Sequence, residues 1–193
     1  TKTTEAATVV HKPYRNDLRT LFLTNGAKIL AMIPRTFNAK DTNNNEYIDG
    51  NEQHGTFLNA IERLDEVKAQ GFNTLHVLPI NPPGKNNAMG TAGSLYSPLD
   101  MLELDPKLID KNDPRTPQEQ FKEFVSACHD RDIRVMVDMP SCASYDLYLA
   151  KPELMAKDRY GLAKTPQGWE DIRMFQPWKD EGKRTLNPEL LEY

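Results

Sequence analysis

An α/β fold built on a mostly parallel sheet is predicted by three short apolar runs that start near residues 28, 72 and 133. Amphipathic segments with helical spacing separate these runs and give a repeating strand–helix pattern. A glycine at position 71 closes the first helical segment directly before the second run, which indicates a tight junction within a βαβ unit. The chain of 193 residues corresponds to one domain or to part of a larger one.

The first two strands and the helix between them each carry a local signal. The run 29–33 is continuously apolar and ends at Pro34, which suits a strand buried on both faces of a parallel sheet. The run 72–78 forms the second strand and ends at Pro79. Between them, one helical face is formed by Phe57, Ile61, Leu64 and Val67.

The second helix has the strongest local signal in the chain. Thr116 is placed as an N-cap, Pro117 as the first helical residue and Glu119 as the acid of a capping box. This helix leads into a third strand at 133–138. Its predicted sheet-facing stripe consists of Phe121, Phe124, Val125 and Cys128.

The pattern divides the chain into three segments. Residues 1–26 form a polar lead-in, 27–139 hold the strands and helices, and 140–193 form an irregular, proline-interrupted region without a predicted fourth strand. A closed eight-stranded barrel needs about 200 residues or more, whereas this chain uses 193 for three strands. We therefore expect either a truncated piece of a larger fold or a small open sheet.

Composition excludes several classes of protein. The formal net charge of −4 gives no basic surface for nucleic acid. The two cysteines, Cys128 and Cys142, cannot build a disulfide scaffold, and no apolar run reaches the roughly 18 residues of a membrane span. No signal peptide is visible, although a removed presequence stays open, so we expect a soluble protein of unknown compartment.

Three segments in combination resemble the alpha-amylase superfamily, glycoside hydrolase family 13. They are GFNTLHVLPI at 71–80, GSLYSP at 93–98 with Asp105-Pro106 after it, and HDRDIRVMVD at 129–138. In that family, similar segments form the second strand, a tyrosine-bearing loop and an Asp-tipped third strand. The resemblance covers about residues 27–140 and implies the N-terminal part of a (β/α)8 TIM barrel, with about three βα units followed by an irregular excursion.

The resemblance implies an enzyme that hydrolyses α-linked glucans or transfers glycosyl units, with an α-glucan or oligosaccharide as substrate. The chain departs from the family at Cys142 and Ala143, where an Asn-His pair would bind metal and sugar, and at Asp132, which replaces a glycine. Some maltosyl-transferring branches also lack this pair, and the segment 169–173 looks similar to theirs.

Two other interpretations stay open. The departures favour a non-catalytic carbohydrate-binding or interaction module that keeps an amylase-like framework. An unrelated doubly wound α/β protein is disfavoured because no glycine-rich phosphate loop follows the first strand.

No catalytic residue is assigned within the chain. Retaining glycosidases need two carboxyl groups about 5–5.5 Å apart. The resemblance places the family's reactive carboxylates on strands four and five, with a further aspartate after strand seven, all beyond the three strands found here. We therefore expect this chain alone to be inactive and to require the remainder of the barrel as its partner.

Two residues are candidates for sugar binding. Asp138 ends the third strand, where barrels build their sites, and the resemblance implies a polar support beneath the sugar; its alternative is a loop-entry aspartate that accepts backbone N–H groups. Tyr96 lies in a turn-prone loop and is either a platform for a pyranose ring or a packing residue. Trp169 and Trp178 are interpreted as loop anchors, and His76 as a hydrogen-bonded core histidine.

The segment 41–52 has the ligand spacing of a calcium loop. Counting from Asp41, oxygen-bearing side chains fall at positions 1, 3, 5, 9 and 12, with a backbone carbonyl available at position 7. Position 6 holds Glu46, where an EF-hand requires glycine, so an EF-hand is not expected. The alternative is an Asx-rich loop that satisfies its own backbone. The resemblance to family members with a similar loop implies calcium as cofactor, with the ligands Asp41, Asn43, Asn45, Asp49 and the carbonyl of Tyr47.

Overall fold

The three predicted strands form one parallel sheet. The structure is a computed structural model and describes residues 10–13, 15–49, 52–86, 88, 93–151 and 153. Its strands are β1 (Ile29–Met32), β2 (Thr74–Val77) and β3 (Arg134–Val137), paired in the order β1-β2-β3. Ala31, His76 and Met136 lie side by side across the sheet. The predicted α/β class with a parallel sheet is confirmed.

Both predicted helical segments are present, the first in two pieces, and the described residues also form three short helices that were not predicted. The helices are α1 (Leu18–Leu23), α2 (Pro34–Phe37), α3 (Phe57–Ala60), α4 (Leu64–Ala69), α5 (Pro117–Asp130) and α6 (Tyr145–Ala150) among the described residues. Those not predicted are α1, α2 and α6. The single helix expected from Phe57 to Val67 is split, because a 3-10 turn at Ile61–Arg63 separates α3 from α4. Gly71 follows α4 with φ +87°, a conformation that glycine adopts without steric cost. None of the described helices combines the length and apolar character that a membrane crossing requires.

The start of α5 forms the predicted capping box. The Thr116 hydroxyl accepts the Glu119 N–H at 3.3 Å, and the Glu119 carboxylate accepts the Thr116 N–H at 2.7 Å. The predicted apolar stripe also faces the core, with Phe124 and Cys128 fully buried and the other two residues partly buried. These contacts fix the helix against the sheet.

One side of the sheet, which we call the helix face, is closely packed. Its strand side chains are Leu30, Met32, Leu75, Val77, Val135 and Val137. Phe57 of α3 and Phe124 of α5 join this layer, with ring centroids 6.1 Å apart and exposures of 1% and 0%. Burial of an aromatic or aliphatic side chain of this size stabilises a fold by roughly 1.5–3 kcal/mol.

The opposite side of the sheet, which we call the open face, is more exposed along β1 and at the C-terminal strand ends, whereas Thr74 and Arg134 on this face are buried. Side chains alternate along each strand, so this face carries Ile29, Ala31, Ile33, Thr74, His76, Leu78, Arg134, Met136 and Asp138. Ile29 and Ile33 are 40% and 41% exposed. The expectation that 29–33 is buried on both faces is therefore wrong, because no element among the described residues covers β1 on this side.

The lead-in segment contacts the N-terminal end of the sheet. Asp17 holds the Arg134 guanidinium through two hydrogen bonds of 2.7 and 2.6 Å, and the Arg134 side chain is 9% exposed. Asn73 accepts the Lys28 N–H at 2.9 Å and donates to the Gly26 carbonyl at 2.9 Å. These contacts, rather than apolar packing, tie the lead-in to β2 and β3.

The chain divides into two compact units. The first extends to Ile80 and continues with Glu103–Met139, so it holds the sheet, α1 to α5 and the hydrophobic core. The second contains Asn81–Leu102 and the chain from Pro140 on, including α6.

The predicted segment boundaries at 1–26, 27–139 and 140–193 stay predictions. α6 lies in the region expected to be irregular, and its N-cap Ser144 accepts the Leu147 N–H at 3.1 Å. Trp169, Trp178 and the segment 169–173 lie outside the described residues.

Candidate functional site

Asp138 lies at the C-terminal end of β3. Its backbone N–H donates to the Val77 carbonyl at 2.9 Å, which extends the β2–β3 ladder by one residue. Its side chain alternates with that of Val137, so it belongs to the open face, where it is 31% exposed. Asp138 is thus at the strand end where barrel folds build their sites.

His76 is the side chain that the fold brings to Asp138. Its Nε2 atom lies 3.3 Å from a carboxylate oxygen of Asp138. The sheet register sets this contact, because His76 pairs with Met136 and Asp138 follows two residues later on the same face. The expected core position of His76 is wrong, since its side chain is 35% exposed, but the polar partner expected for it is present.

The His76–Asp138 pair offers both kinds of hydrogen bond to a polyhydroxylated ligand. The carboxylate accepts hydrogen bonds, and an imidazole donates at least one. Hydrogen bonds to an ionised group are roughly twice as strong as neutral ones. The open-face positions of the three described strands hold no second carboxylate, so they do not form the carboxyl pair that a glycosidase needs.

Tyr96 belongs to the second unit and lies in a turn. Its backbone N–H donates to the Ser94 hydroxyl at 3.2 Å, and the Ser97 N–H donates to the Ser94 carbonyl at 3.1 Å. Gly93 begins this turn with φ +75°. Tyr96 is 45% exposed, so part of its ring is accessible to a ligand.

The predicted calcium loop gathers its acidic and amide side chains together. The two carboxylate oxygens of Asp41 accept the N–H groups of Asn45 and Glu46 at 3.2 and 2.8 Å. The amide nitrogens of Asn43 and Asn45 lie 3.4 and 2.9 Å from the carboxylate oxygens of Asp49. Four of the five predicted ligand residues are therefore linked through their side chains.

Tyr47 is linked to the loop through its backbone. Its N–H donates to the Asn45 side chain at 2.9 Å, while Tyr47 itself is 73% exposed. Glu46, at position 6, has φ +68°, so it adopts the left-handed conformation that glycine adopts readily. The curl of the loop is thus present without the glycine.

Glu52 closes the loop, although it is not among the predicted calcium ligands. Its carboxylate accepts the Thr42 hydroxyl at 2.6 Å and the N–H groups of Thr42, Asn43 and Asp49 at 2.6, 3.1 and 3.2 Å. The Thr42 hydroxyl, followed by these backbone donors, lowers the pKa of Glu52 to about 2. The sequence signal for this role of Glu52 was its place at position 12 of the motif, where a calcium loop carries an acidic side chain.

The donor chemistry of this loop fits calcium, which takes carboxylate, amide and backbone oxygens. Among the described residues, no three acidic, histidine or cysteine side chains converge as metal ligands. A cation here would therefore depend on the amide oxygens of Asn43 and Asn45 and on the Tyr47 carbonyl.

The Asp105-Pro106 motif holds a buried ion pair. The Asp105 carboxylate accepts the Lys107 N–H at 3.0 Å and lies 3.5 Å from the Arg35 guanidinium. Their side chains are 5% and 13% exposed, and the Arg35 Nε atom is buried without a hydrogen-bond partner among the described residues. This pair joins α2 to the 3-10 turn Pro106–Leu108, whose N-cap is Asp105.

A cleft of about 420 Å³ opens beside this pair. It is lined by residues 52–54, Thr56, Pro106, Lys107 and residues 109–112. Burial, followed by Lys107 and Arg35, lowers the pKa of His54. The cleft contains neither Asp138 nor any of the predicted calcium ligands.

The sequence of the chain is similar to those of known proteins. No known family profile matches the chain. An alpha-1,4-glucan:maltose-1-phosphate maltosyltransferase of Mycobacterium tuberculosis is 30% identical over 164 residues, and the match covers 69% of this chain and 23% of that protein. An intracellular maltogenic amylase of Bacillus subtilis is 25% identical over 166 residues, covering 80% and 24%. The chain belongs to the alpha-amylase superfamily.

A solved member of the superfamily agrees with the fold described above. An alpha-amylase from Lactobacillus plantarum superposes with a TM-score of 0.53 and 25% identity, covering 74% of this chain and 29% of that one. The parallel order β1-β2-β3 is consistent with the barrel of such enzymes. The chain spans about a quarter of the length of the curated superfamily proteins that it matches.

Proposed function

We propose that this chain supplies the first βα units, about three, of the catalytic (β/α)8 barrel of an enzyme that hydrolyses α-linked glucans or transfers glycosyl units from them. The observation that carries the proposal is Asp138, which ends β3 on the open face beside His76. Membership of the superfamily supports the substrate class, because the matched relatives are a maltosyltransferase and a maltogenic amylase.

The reactive carboxylates of this enzyme lie on strands outside the chain. Asp138 is the one acid at the open-face positions of β1, β2 and β3 and the residues that directly follow them. Hydrolysis with retention requires two such groups about 5–5.5 Å apart, and hydrolysis with inversion requires two about 6.5–9.5 Å apart. The described strands supply no such pair, and we propose that the 193-residue chain is inactive on its own.

Turnover assays test this division of roles. The purified chain, incubated with maltoheptaose, should release no reducing sugar and form no longer or shorter glucan. Measurable turnover by the chain alone would contradict the proposal. The reading frame beyond Tyr193 gives a second test: a strand with an Arg-x-Asp segment and a later glutamate are expected there.

The function of Asp138 is to support the sugar from below. Replacement of Asp138 by alanine in the complete enzyme should weaken glucan binding by about 10- to 100-fold, since hydrogen bonds to charged groups contribute roughly 1.5–3 kcal/mol. Titration calorimetry with a maltooligosaccharide measures this change. A melting temperature that falls while affinity stays unchanged would favour the role of a loop-entry aspartate.

Tyr96 serves as a platform for a pyranose ring. Tyr96→Phe keeps the aromatic face and should retain most of the affinity for a maltooligosaccharide, whereas Tyr96→Ala should lose it. Equal affinities for the alanine variant and the natural protein would show that the ring packs on the protein instead.

The loop 41–49 binds calcium as a structural ion, through Asp41, Asn43, Asn45, Asp49 and the Tyr47 carbonyl. Calcium at about 100 times its dissociation constant stabilises the folded state by about 2.7 kcal/mol. The melting temperature should therefore rise with calcium and fall with a chelator. Asp49→Asn should reduce this response, whereas Tyr47→Ala should keep it because the ligand is a backbone carbonyl. A chelator without effect would favour a loop that satisfies its own backbone.

The second candidate function is a non-catalytic carbohydrate-binding module. The observation that favours it is the replacement of the family's Asn-His pair by Cys142 and Ala143. Such a module would bind a maltooligosaccharide through the isolated chain, and its reading frame would lack the Arg-x-Asp segment and the later glutamate.

A further inference from the structure

His11 of the lead-in lies between two carboxylates of α5. Its Nδ1 atom is 2.8 Å from Asp130, near the C-terminal end of the helix, and its Nε2 atom is 3.4 Å from Glu123. These two acids are seven residues apart, so they lie on the same face of α5. The His11 side chain is 27% exposed and those of the acids are 26% and 25% exposed.

The two contacts of the His11 ring are those expected of a doubly protonated imidazole. A neutral imidazole carries one N–H and one lone pair, so it can donate to one carboxylate only. Its second nitrogen would then face a carboxylate oxygen with no proton between them. Both contacts are favourable together only when His11 is an imidazolium.

Two cations and a second histidine lie near the carboxylates that contact His11. Lys12 donates its backbone N–H to Asp130 at 2.6 Å, and its ammonium group donates to the Asp130 carbonyl at 2.6 Å. Arg115 lies 3.4 Å from Glu123 and offers that carboxylate a second cation. His129, next to Asp130, has its pKa lowered by burial and by Arg134, so it is neutral where His11 titrates.

We propose that His11 is a proton-operated clasp, which holds residues 10–13 on α5 most tightly while both ring nitrogens carry protons and loosens when the proton facing Glu123 is lost. The segment beyond the clasp stays in place, because Asp17 holds Arg134 through a pair of hydrogen bonds whose groups do not titrate near neutral pH. Loosening is therefore confined to the chain before Asp17.

The electrostatics agree with this geometry. The Asp130 carboxylate, with a smaller contribution from Glu123, raises the pKa of His11 above its ordinary value of 6.5, against the opposing effect of burial. A group whose pKa is higher in the folded state stabilises that state fully below its unfolded value. The clasp is therefore tightest below 6.5 and loosens as the pH rises through the higher folded value.

Amide exchange of the full chain tests the clasp directly. The Lys12 N–H donates to Asp130, so its exchange reports whether the clasp is closed. After correction for intrinsic exchange, its protection should fall by a factor of about 3 to 10 between about pH 6 and about pH 8.5, as expected for loss of one proton. The Gln120 N–H, bonded within α5 to the Thr116 carbonyl, is the internal reference and should stay constant.

Two variants sharpen the test. His11→Ala should give low Lys12 protection at every pH. Glu123→Gln keeps the Asp130 contact but removes the second carboxylate, so it should weaken the pH dependence. Nitrogen shifts of His11 should show both ring nitrogens protonated at about pH 6 and titration above 6.5. A flat Lys12 profile in the natural protein, or titration of His11 at or below 6.5, would overturn the proposal.

Discussion

The helix face and the open face of the sheet are built from the same three strands but have different properties. On the helix face, Leu75, Val77 and Phe124 are each 0% exposed and belong to a single hydrophobic core. On the open face, Ile33 is 41% exposed, and His76 and Asp138 keep about a third of their side-chain surface accessible. Stability is thus concentrated on one side of the sheet and polar chemistry on the other.

The difference shows how a strand residue can have a functional role without being part of the core. Successive side chains of a strand point to opposite faces, so Val137 packs on the helices while Asp138 is presented to a ligand. A substitution on the open face should therefore change binding with little effect on folding, and the reverse should hold on the helix face.

We expect the largest effect, on the free energy of unfolding, from a substitution in the core. Phe124→Ala should lower the free energy of unfolding by about 3–5 kcal/mol, because it leaves a cavity beside Phe57. Ile33→Ala on the open face is the matched control and should cost about 1 kcal/mol or less. Urea denaturation measures both values. Equal losses would show that the open face is packed as tightly as the helix face.

Thiol labelling separates the buried core from the exposed chain. Burial raises the pKa of Cys128 to about 12, whereas Cys142 is exposed. In the native protein, Cys142 should react readily with a disulfide reagent, and Cys128 should react far more slowly because burial blocks the reagent and leaves little thiolate. Cys142→Ser isolates the slow reaction. Rapid modification of both thiols would contradict the buried helix face.

The third prediction concerns the end of the open face that the lead-in covers. The Arg134 guanidinium is the main cause of the lowered pKa of Asp17. A lowered carboxyl pKa stabilises the folded state above the unfolded value of 3.8, and this contribution is lost as the pH falls through the folded value. Asp17→Asn should therefore reduce the acid sensitivity of the melting temperature.

The control for this acid effect is the exposed pair between Asp65 and Arg131, in which the aspartate side chain is 79% exposed. Asp65→Asn should change the acid sensitivity less than Asp17→Asn does, since solvent weakens an exposed pair. If both variants responded alike, the buried guanidinium would have no special part in the acid response.

The smallest expected effect is in the calcium loop. Glu46→Gly should raise the free energy of unfolding by at most about 1 kcal/mol, because glycine adopts φ +68° without the steric cost that glutamate pays, while the unfolded chain gains freedom. Asn44→Gly is the control: asparagine tolerates its φ of +57°, so the gain should be smaller. Thermal unfolding measures both, and a larger gain for Asn44→Gly would disagree with this account.

Local signals in the sequence were sufficient for the strands and for α5. Apolar runs ending at Pro34 and Pro79 gave the strand positions, and the Thr116 and Glu119 capping box gave the start of α5. Both signals act within a few residues, which is why they can be recognised without tertiary structure.

The contacts that depend on tertiary structure were not predictable in the same way. His76 meets Asp138 because of the register between β2 and β3, and that register is not encoded in either strand alone. His11 and Asp130 are 119 residues apart in the chain. The exposure of Ile33 likewise depends on which elements cover the sheet, so an apolar run alone suggested more burial than β1 has.

The two outer strands of the sheet determine how the purified chain should behave at high concentration. β1 and β3 each pair with β2 on one side, and within the described part of the chain no further strand pairs with their outer edges. Free N–H and C=O groups along such edges are templates for strands of other molecules. We therefore expect the isolated polypeptide to self-associate at high concentration unless additional strands pair with these edges. Co-expression with the polypeptide that carries the remaining strands should then give more soluble material than expression of this chain alone.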